Sequence, residues 1–236
     1  MNIPPIAVIW CDASFEANGT YQSMKNEFND AITAVPQEPL DSIDSKILTE
    51  GKAELRLNNV PLITVQTADD ALREIKNNQS KKTFVICSGT VGRYLVPEIM
   101  CTCPCVHNFY IYTHSPFLHA GWVNVYAREL VIMFTFHIDL LLRLTRDIAY
   151  HFIKQGEAFL SLDAPQDALK YFKHAQNLEI GANKREKIPP DPNSTESNYA
   201  HPDFREHLNL LEGQNGLIAQ AVAAVRAKEY PVEESS

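Results

Sequence analysis

No apolar run in the 236-residue chain reaches the roughly 20 residues that a helix needs to cross a bilayer. The most apolar stretch, residues 130–144, is shorter and carries His137, Asp139 and Arg143, so a buried strand leading into a helix is its expected form. The opening MNIPPIAVIWCD has no basic start of the kind a secretory signal carries. Basic residues are outnumbered, 21 against 29 acidic, and the net charge of −8 leaves no chain-wide footprint for nucleic acid. Five cysteines, an odd number without an export signal, point to reduced thiols and a cytoplasmic setting. The sequence also lacks a Gly-Lys-Ser/Thr loop, Gly-x-Gly-x-x-Gly, His-Glu-x-x-His, Gly-x-Ser-x-Gly and Glu-x-Glu. Phosphate-loop, metalloprotease and serine-hydrolase chemistries therefore have no motif behind them.

What is present is an ordinary globular composition, 45% hydrophobic and 21% charged, with enough apolar mass for a core. PIAVIWC, residues 5–11, is a continuous apolar run closed by Asp12, the pattern of a strand buried on both faces. Tyr21, Met24, Phe28 and Ile32 follow at helical steps. Residues 36–59 read as a polar loop with short local structure. PLITVQT is a second strand, and Thr67 is placed to cap the helix ADDALREIKNN, whose Asp69 and Asp70 suit a positive helix start. TFVIC is a third strand, ending in Ser88-Gly89-Thr90. Residues 91–100 form a short helix bent at Pro97, VHNFYIYT a fourth strand, residues 122–126 a connecting piece, and VIMFTFHI a fifth strand.

This alternation predicts right-handed crossovers and a flavodoxin-like α/β fold, a doubly wound parallel sheet of about five strands in the order 2-1-3-4-5. The expected organisation is an α/β domain over residues 1–140, a helical hairpin over 141–182 turning at Asp163-Ala164-Pro165, a Pro-rich loop over 183–202, and a C-terminal helix and tail over 203–236. That last helix is broken or weakened at Gly213 and Gly216.

Ligands of open parallel sheets bind beyond the carboxyl ends of the strands. Those ends supply Asp12, Thr67, Ser88-Gly89-Thr90, Thr113-His114-Ser115 and His137. In SGTVGR, the backbone of Ser88, Gly89, Thr90 and Gly92 could cradle an anion at a helix start, with Arg93 adding charge. The alternative is a tight strand-to-helix turn that needs small residues. Asp12 and Thr113 complete the candidate ligand set. His114 and His119 lie around Pro116 in a polar loop, and His151 and His174 fall in the helical part. Cys101, Cys103, Cys105 and His107 alternate, which in an extended segment would put four metal-type ligands on one face; a packed or reactive thiol cluster is the other reading.

Four resemblances follow from these residues. In QGEAFLSLDAPQDALKYFKHAQNLE, Gly156, Phe159, Ala168, Phe172 and Ala175 stand at the spacings of one tetratricopeptide repeat over residues 149–182, with Ile180 where proline is usual. The α/β part resembles phosphorelay receiver domains. Asp12 and Thr113 match in kind, but Cys87-Ser88 stands at the phosphoacceptor position and Phe136-His137-Ile138 where a lysine belongs, so the resemblance implies a pseudo-receiver without phosphotransfer. It is also similar to TIR domains, which implies NAD cleavage with Glu98 stabilising positive charge on the ribose, although the usual tryptophan-cysteine is missing and Pro97 precedes the glutamate. VIWCDAS, LITVQTADDALREI, FVICSGTVGRYLVPEI and NFYIY together resemble an α/β domain found beside ADP-ribosyltransferase and tetratricopeptide modules in multidomain eukaryotic proteins. Without Glu-x-Glu, that resemblance implies a regulatory module lacking the transferase.

The resulting expectation is a non-catalytic protein-interaction or signalling-adaptor module, with a TIR-like NAD hydrolase using Glu98 as the alternative. The expected partners are other proteins, met through the helical part. Neither nucleic acid, a membrane, nor a cofactor is expected.

Overall fold

The computed structural model describes residues 6–13, 54–55, 60–127, 130–186 and 204–229. The chain divides into two compact units, Met1–Leu141 and Leu142–Ser236.

In the first unit, five strands lie parallel: β1 (Ile6–Cys11), β3 (Val60–Val65), β4 (Lys82–Ser88), β5 (Val106–Tyr112) and β6 (Val131–Phe134). Their spatial order is β3-β1-β4-β5-β6, with β2 (Glu54–Leu55) added antiparallel outside β3. Among the parallel strands this is the 2-1-3-4-5 order that the flavodoxin-like fold class implies. All six residues of β1 are buried, as its unalternating run predicts for a central strand. Register is tight at the carboxyl end: Cys11 pairs with Val65 on one side and Cys87 on the other, Ser88 pairs with Tyr112, and Tyr112 with Phe134.

Helices α1 (Ala68–Asn77), α2 (Gly89–Thr102) and α3 (Pro116–Val123) follow β3, β4 and β5. Ile75 of α1, Leu95 and Ile99 of α2 and Val123 of α3 join one apolar cluster with Ile9, Val85 and Ile111 of the sheet. Each such side chain, taken fully out of water, contributes about 1.5–3 kcal/mol. Thr67 caps α1 as expected, its Oγ1 accepting the Asp70 N–H at 3.1 Å. The Thr67 hydroxyl and the Arg73 guanidinium hold the Asp70 carboxyl below its ordinary range.

Three boundaries differ from the sequence reading. Helix α2 begins at Gly89, directly on the end of β4, and runs through Pro97. Pro97 is exposed, so the carbonyl it leaves without a donor faces water rather than the core. Strand β6 stops at Phe134, and α4 (His137–Ser161) starts at His137, which is therefore a helix residue. Residues 116–123, read as loop and connection, form α3; its sequence PFLHAGWV is apolar all round and shows no helical stripe. The helix expected from Tyr21 to Ile32 lies outside the described residues.

The second unit takes α4 from Leu142 onward, then α5 (Pro165–Glu186), α6 (Phe204–Leu211) and α7 (Leu217–Glu229). Asp163 turns the chain with a left-handed φ of 57°, and Pro165 opens α5, where a missing N–H costs nothing. Helices α4 and α5 run antiparallel: the rings of Phe159 and Tyr171 stack at 5.3 Å, and further along Arg146 Nη2 donates to Asn183 Oδ1 at 3.0 Å. Gly156 permits this approach, since a Cβ there would stand 2.6 Å from Phe172 Cδ1. Gly213, at φ 88°, separates α6 from α7 as its position suggested. Most of the Pro-rich stretch, from residue 187, lies outside the described residues. Among the described residues, no helix is long and apolar enough to cross a membrane.

Candidate functional site

The chain leaves β1 toward β3 and returns across the sheet to β4. The connections thus diverge between β1 and β4, and the carboxyl ends of those two strands form the crevice where such sheets bind ligands. Asp12 follows β1 and is buried, its backbone N–H donating to Val65 O at 3.0 Å. Ser88 ends β4 beside it. One strand further, Thr113 follows β5; its N–H donates to Phe134 O at 2.9 Å, and its Oγ1 accepts the Ser115 N–H at 3.1 Å. Asp12, Ser88 and Thr113 are therefore brought to one edge by register.

The SGTVGR turn is built into the strand-to-helix junction. Ser88 is the N-cap of α2, its Oγ accepting the Val91 N–H at 3.4 Å. A Cβ on Gly92 would stand 2.8 Å from Ile111 Cδ1, 3.0 Å from Trp122 Cη2 and 3.2 Å from Cys87 Sγ, so that glycine serves helix–sheet packing. Gly89 is covered by the imidazole of His119. Both glycines sit where a side chain would meet a neighbour. Thr90 and Arg93 are exposed, in the first turn of α2 and just beyond it.

The sequence reads His119 as part of a polar loop, whereas the structure places it on α3. Its Nδ1 accepts the Trp122 indole N–H at 3.3 Å, which places the ring proton on Nε2. The sequence gives one retrospective signal for this placement, the i,i+3 spacing of His119 and Trp122. His114, by contrast, is exposed and meets Tyr112 edge-on at 5.2 Å.

Glu98 is exposed, nine residues along α2 from Gly89. At 1.5 Å per residue that is about 13 Å from the helix start, away from the carboxyl edge. Glu98 is not brought together with Asp12, Ser88 or Thr113.

The four alternating thiol and imidazole groups do not share a face. Helix α2 extends through Thr102, so Cys101 is an exposed helical residue, whereas Cys103 is buried at the helix end. His107 lies edge-on to Phe84 at 5.3 Å, and Phe84 faces away from the cluster that holds Cys103. Among the described residues, no three His, Cys, Asp or Glu side chains are placed to hold a metal ion. The shared face supposed an extended chain, and the helix removes it.

Cys11 and Cys87, on paired positions of β1 and β4, are packed thiols. Burial, then the charges of Asp12 and Asp70, push the Cys11 thiol up to about 12. Burial also raises Cys87, with smaller contributions from Cys11 and Asp12.

Sequence reasoning missed the buried ionic cluster of the helical unit. Glu179 of α5 is fully buried, 2.7 Å from His207 Nδ1 of α6 and 3.8 Å from Arg146 Nε of α4. The Tyr150 ring stacks on His207 at 5.2 Å. Charged residues at helix positions otherwise filled by Leu, Ile, Phe and Ala were the available signal.

Comparison of the chain with protein-family models, with curated proteins and with solved structures finds no match. The fold itself defines the class: an α/β protein with a flavodoxin-like parallel sheet, followed by a helical unit.

Proposed function

We propose that this chain is a non-catalytic interaction module, an adaptor whose α/β unit keeps a degenerate receiver-like edge and binds another protein. The observation that carries this reading is the start of α3. There Phe117 and Leu118 are 84% and 73% exposed, immediately after Thr113 and Ser115 at the sheet's carboxyl edge. Two large apolar side chains thus stand side by side in solvent, and contiguous exposed apolar surface is what an interaction site offers a partner. The polar groups of the edge are meanwhile engaged within the chain, Ser88 as a cap and Thr113 as an acceptor, which supports a pseudo-receiver over a phosphotransfer site. The tetratricopeptide-like hairpin, with Phe172 against Gly156, supplies a second surface suited to helices or extended peptides.

A photo-crosslinking residue at position 117, introduced into the full chain in its native cells, tests the reading. The expected result is a discrete adduct with one protein, reproduced with that protein purified and abolished by Leu118→Asp. Consumption of NAD by the purified chain, lost in Glu98→Ala, would replace the adaptor with a TIR-like hydrolase.

A further inference from the structure

We propose that Cys103 and Cys105 form a reversible oxidation site, closing to a disulfide across Pro104 when hydrogen peroxide reaches Cys105. The tripeptide is held at both ends. Cys103 terminates α2, its N–H donating to Ile99 O at 2.8 Å, and its own carbonyl accepts the Val106 N–H at 3.3 Å to close a turn. The Cys105 carbonyl accepts the Thr83 N–H at 3.0 Å, fixing Cys105 to the head of β4. Two Cα steps of 3.8 Å around such a turn separate the two α-carbons by about 5.5–6 Å, inside the range a disulfide spans. Both side chains belong to the same apolar cluster.

The other thiols are badly placed for this reaction. Cys11 and Cys87 are buried at the opposite, carboxyl ends of their strands. Cys101 is exposed but lies on α2 two positions before Cys103, so it departs from the helix about 200° around the axis. Cys105 is partly exposed and Cys103 buried, which sets the order of events. The Cys105 thiolate attacks one peroxide oxygen, the O–O bond breaks, and Cys105 becomes a sulfenic acid while the departing hydroxide takes up the proton the thiol had released, leaving as water. The Cys103 sulfur then attacks the Cys105 sulfur, the S–OH bond breaks, and its hydroxyl leaves with the Cys103 proton as a second water. Two sulfurs have lost one electron each, and one peroxide has been reduced to two waters. A loop this short gains little from chain entropy, so the bond is of the labile kind that thiols reduce readily.

Burial and the neighbouring Cys103 thiol raise the Cys105 thiol above its ordinary range. Thiolate is therefore scarce at neutral pH, and oxidation should speed up as pH rises. The test treats the folded full chain with hydrogen peroxide at neutral and mildly alkaline pH, then maps disulfides by peptide mass spectrometry before and after dithiothreitol. The expected product lacks two hydrogens, links Cys103 to Cys105, forms faster at the higher pH, reverts with dithiothreitol, and persists in Cys101→Ser. A bridge that includes Cys101, or oxidation that stops at Cys101 with Cys103 and Cys105 still free, overturns the proposal. Because mapping the unaltered chain decides the matter, a Cys103→Ala chain that failed to fold would not obscure the result.

Discussion

The imidazole of His119 lies directly over Gly89: a Cβ on that glycine would stand 2.5 Å from Nε2 and 2.7 Å from Cγ. The ring is engaged there, its Nδ1 accepting the Trp122 indole N–H at 3.3 Å. Overpacking of this kind costs about 1–3 kcal/mol, against at most about 1 kcal/mol gained from alanine's better helix propensity. Gly89→Ala should therefore lower stability in a urea titration. In a His119→Ala background the clash is gone, and the same substitution should become neutral or stabilising. A penalty of equal size in both backgrounds would mean that His119 is not what fills the space.

Gly121 and Gly156 make a matched pair of opposite sign. Gly121 lies inside α3 with open space around its α-carbon, so Gly121→Ala should stabilise the α/β unit by about 0.5–1 kcal/mol. Gly156 lies inside α4 beneath Phe172, and Gly156→Ala should destabilise the helical unit by about 1–3 kcal/mol despite the same propensity gain. Thermal melts of the two variants decide it, with Phe172→Leu expected to relieve the second.

The same residues show what the sequence could disclose. The unalternating run of β1, the Thr67 cap and the small and large residues at 156, 159, 168, 172 and 175 report local periodicity, and each found its element. Helix α3 was hidden because PFLHAGWV has no polar face, so no period distinguishes it from a loop. The candidate edge was legible as a set of strand ends, since register follows from topology. The roles of Gly89 and Gly92 were not, because they depend on His119 and Trp122 arriving from α3, some 30 residues on. The thiol pattern misled for a related reason: alternation has meaning on a strand, and the helix runs two residues into it.

Glu179 is a buried acidic residue within the helical unit. It is fully buried, with Arg146 on α4 and His207 on α6 as its partners. Removing one partner of a buried charge pair is strongly destabilising, typically by about 3–5 kcal/mol. Glu179→Ala should lose about that much, and Glu179→Gln should recover only part of it, because the amide keeps a hydrogen-bond acceptor but not the charge facing Arg146. Chemical denaturation of both variants gives the ranking. If Gln matches the parent chain, the hydrogen bond to His207 matters and the charge does not.

His174 provides the pH test. Burial in α5, close to the Phe152 ring, lowers its folded value below the ordinary 6.5. Over the interval between 6.5 and that lower folded value, the unfolded chain binds a proton that the folded chain does not. Stability therefore rises with pH across that window and is lost as pH falls through it. Melting temperatures of the parent chain should accordingly drop as the buffer is acidified below 6.5, and His174→Asn, which cannot titrate there, should flatten that slope. The contrast between slopes is informative even if the asparagine lowers stability at every pH, since a packing loss shifts the whole curve without changing its gradient. Parallel curves for the two chains would show that another group governs the acid response of the helical unit.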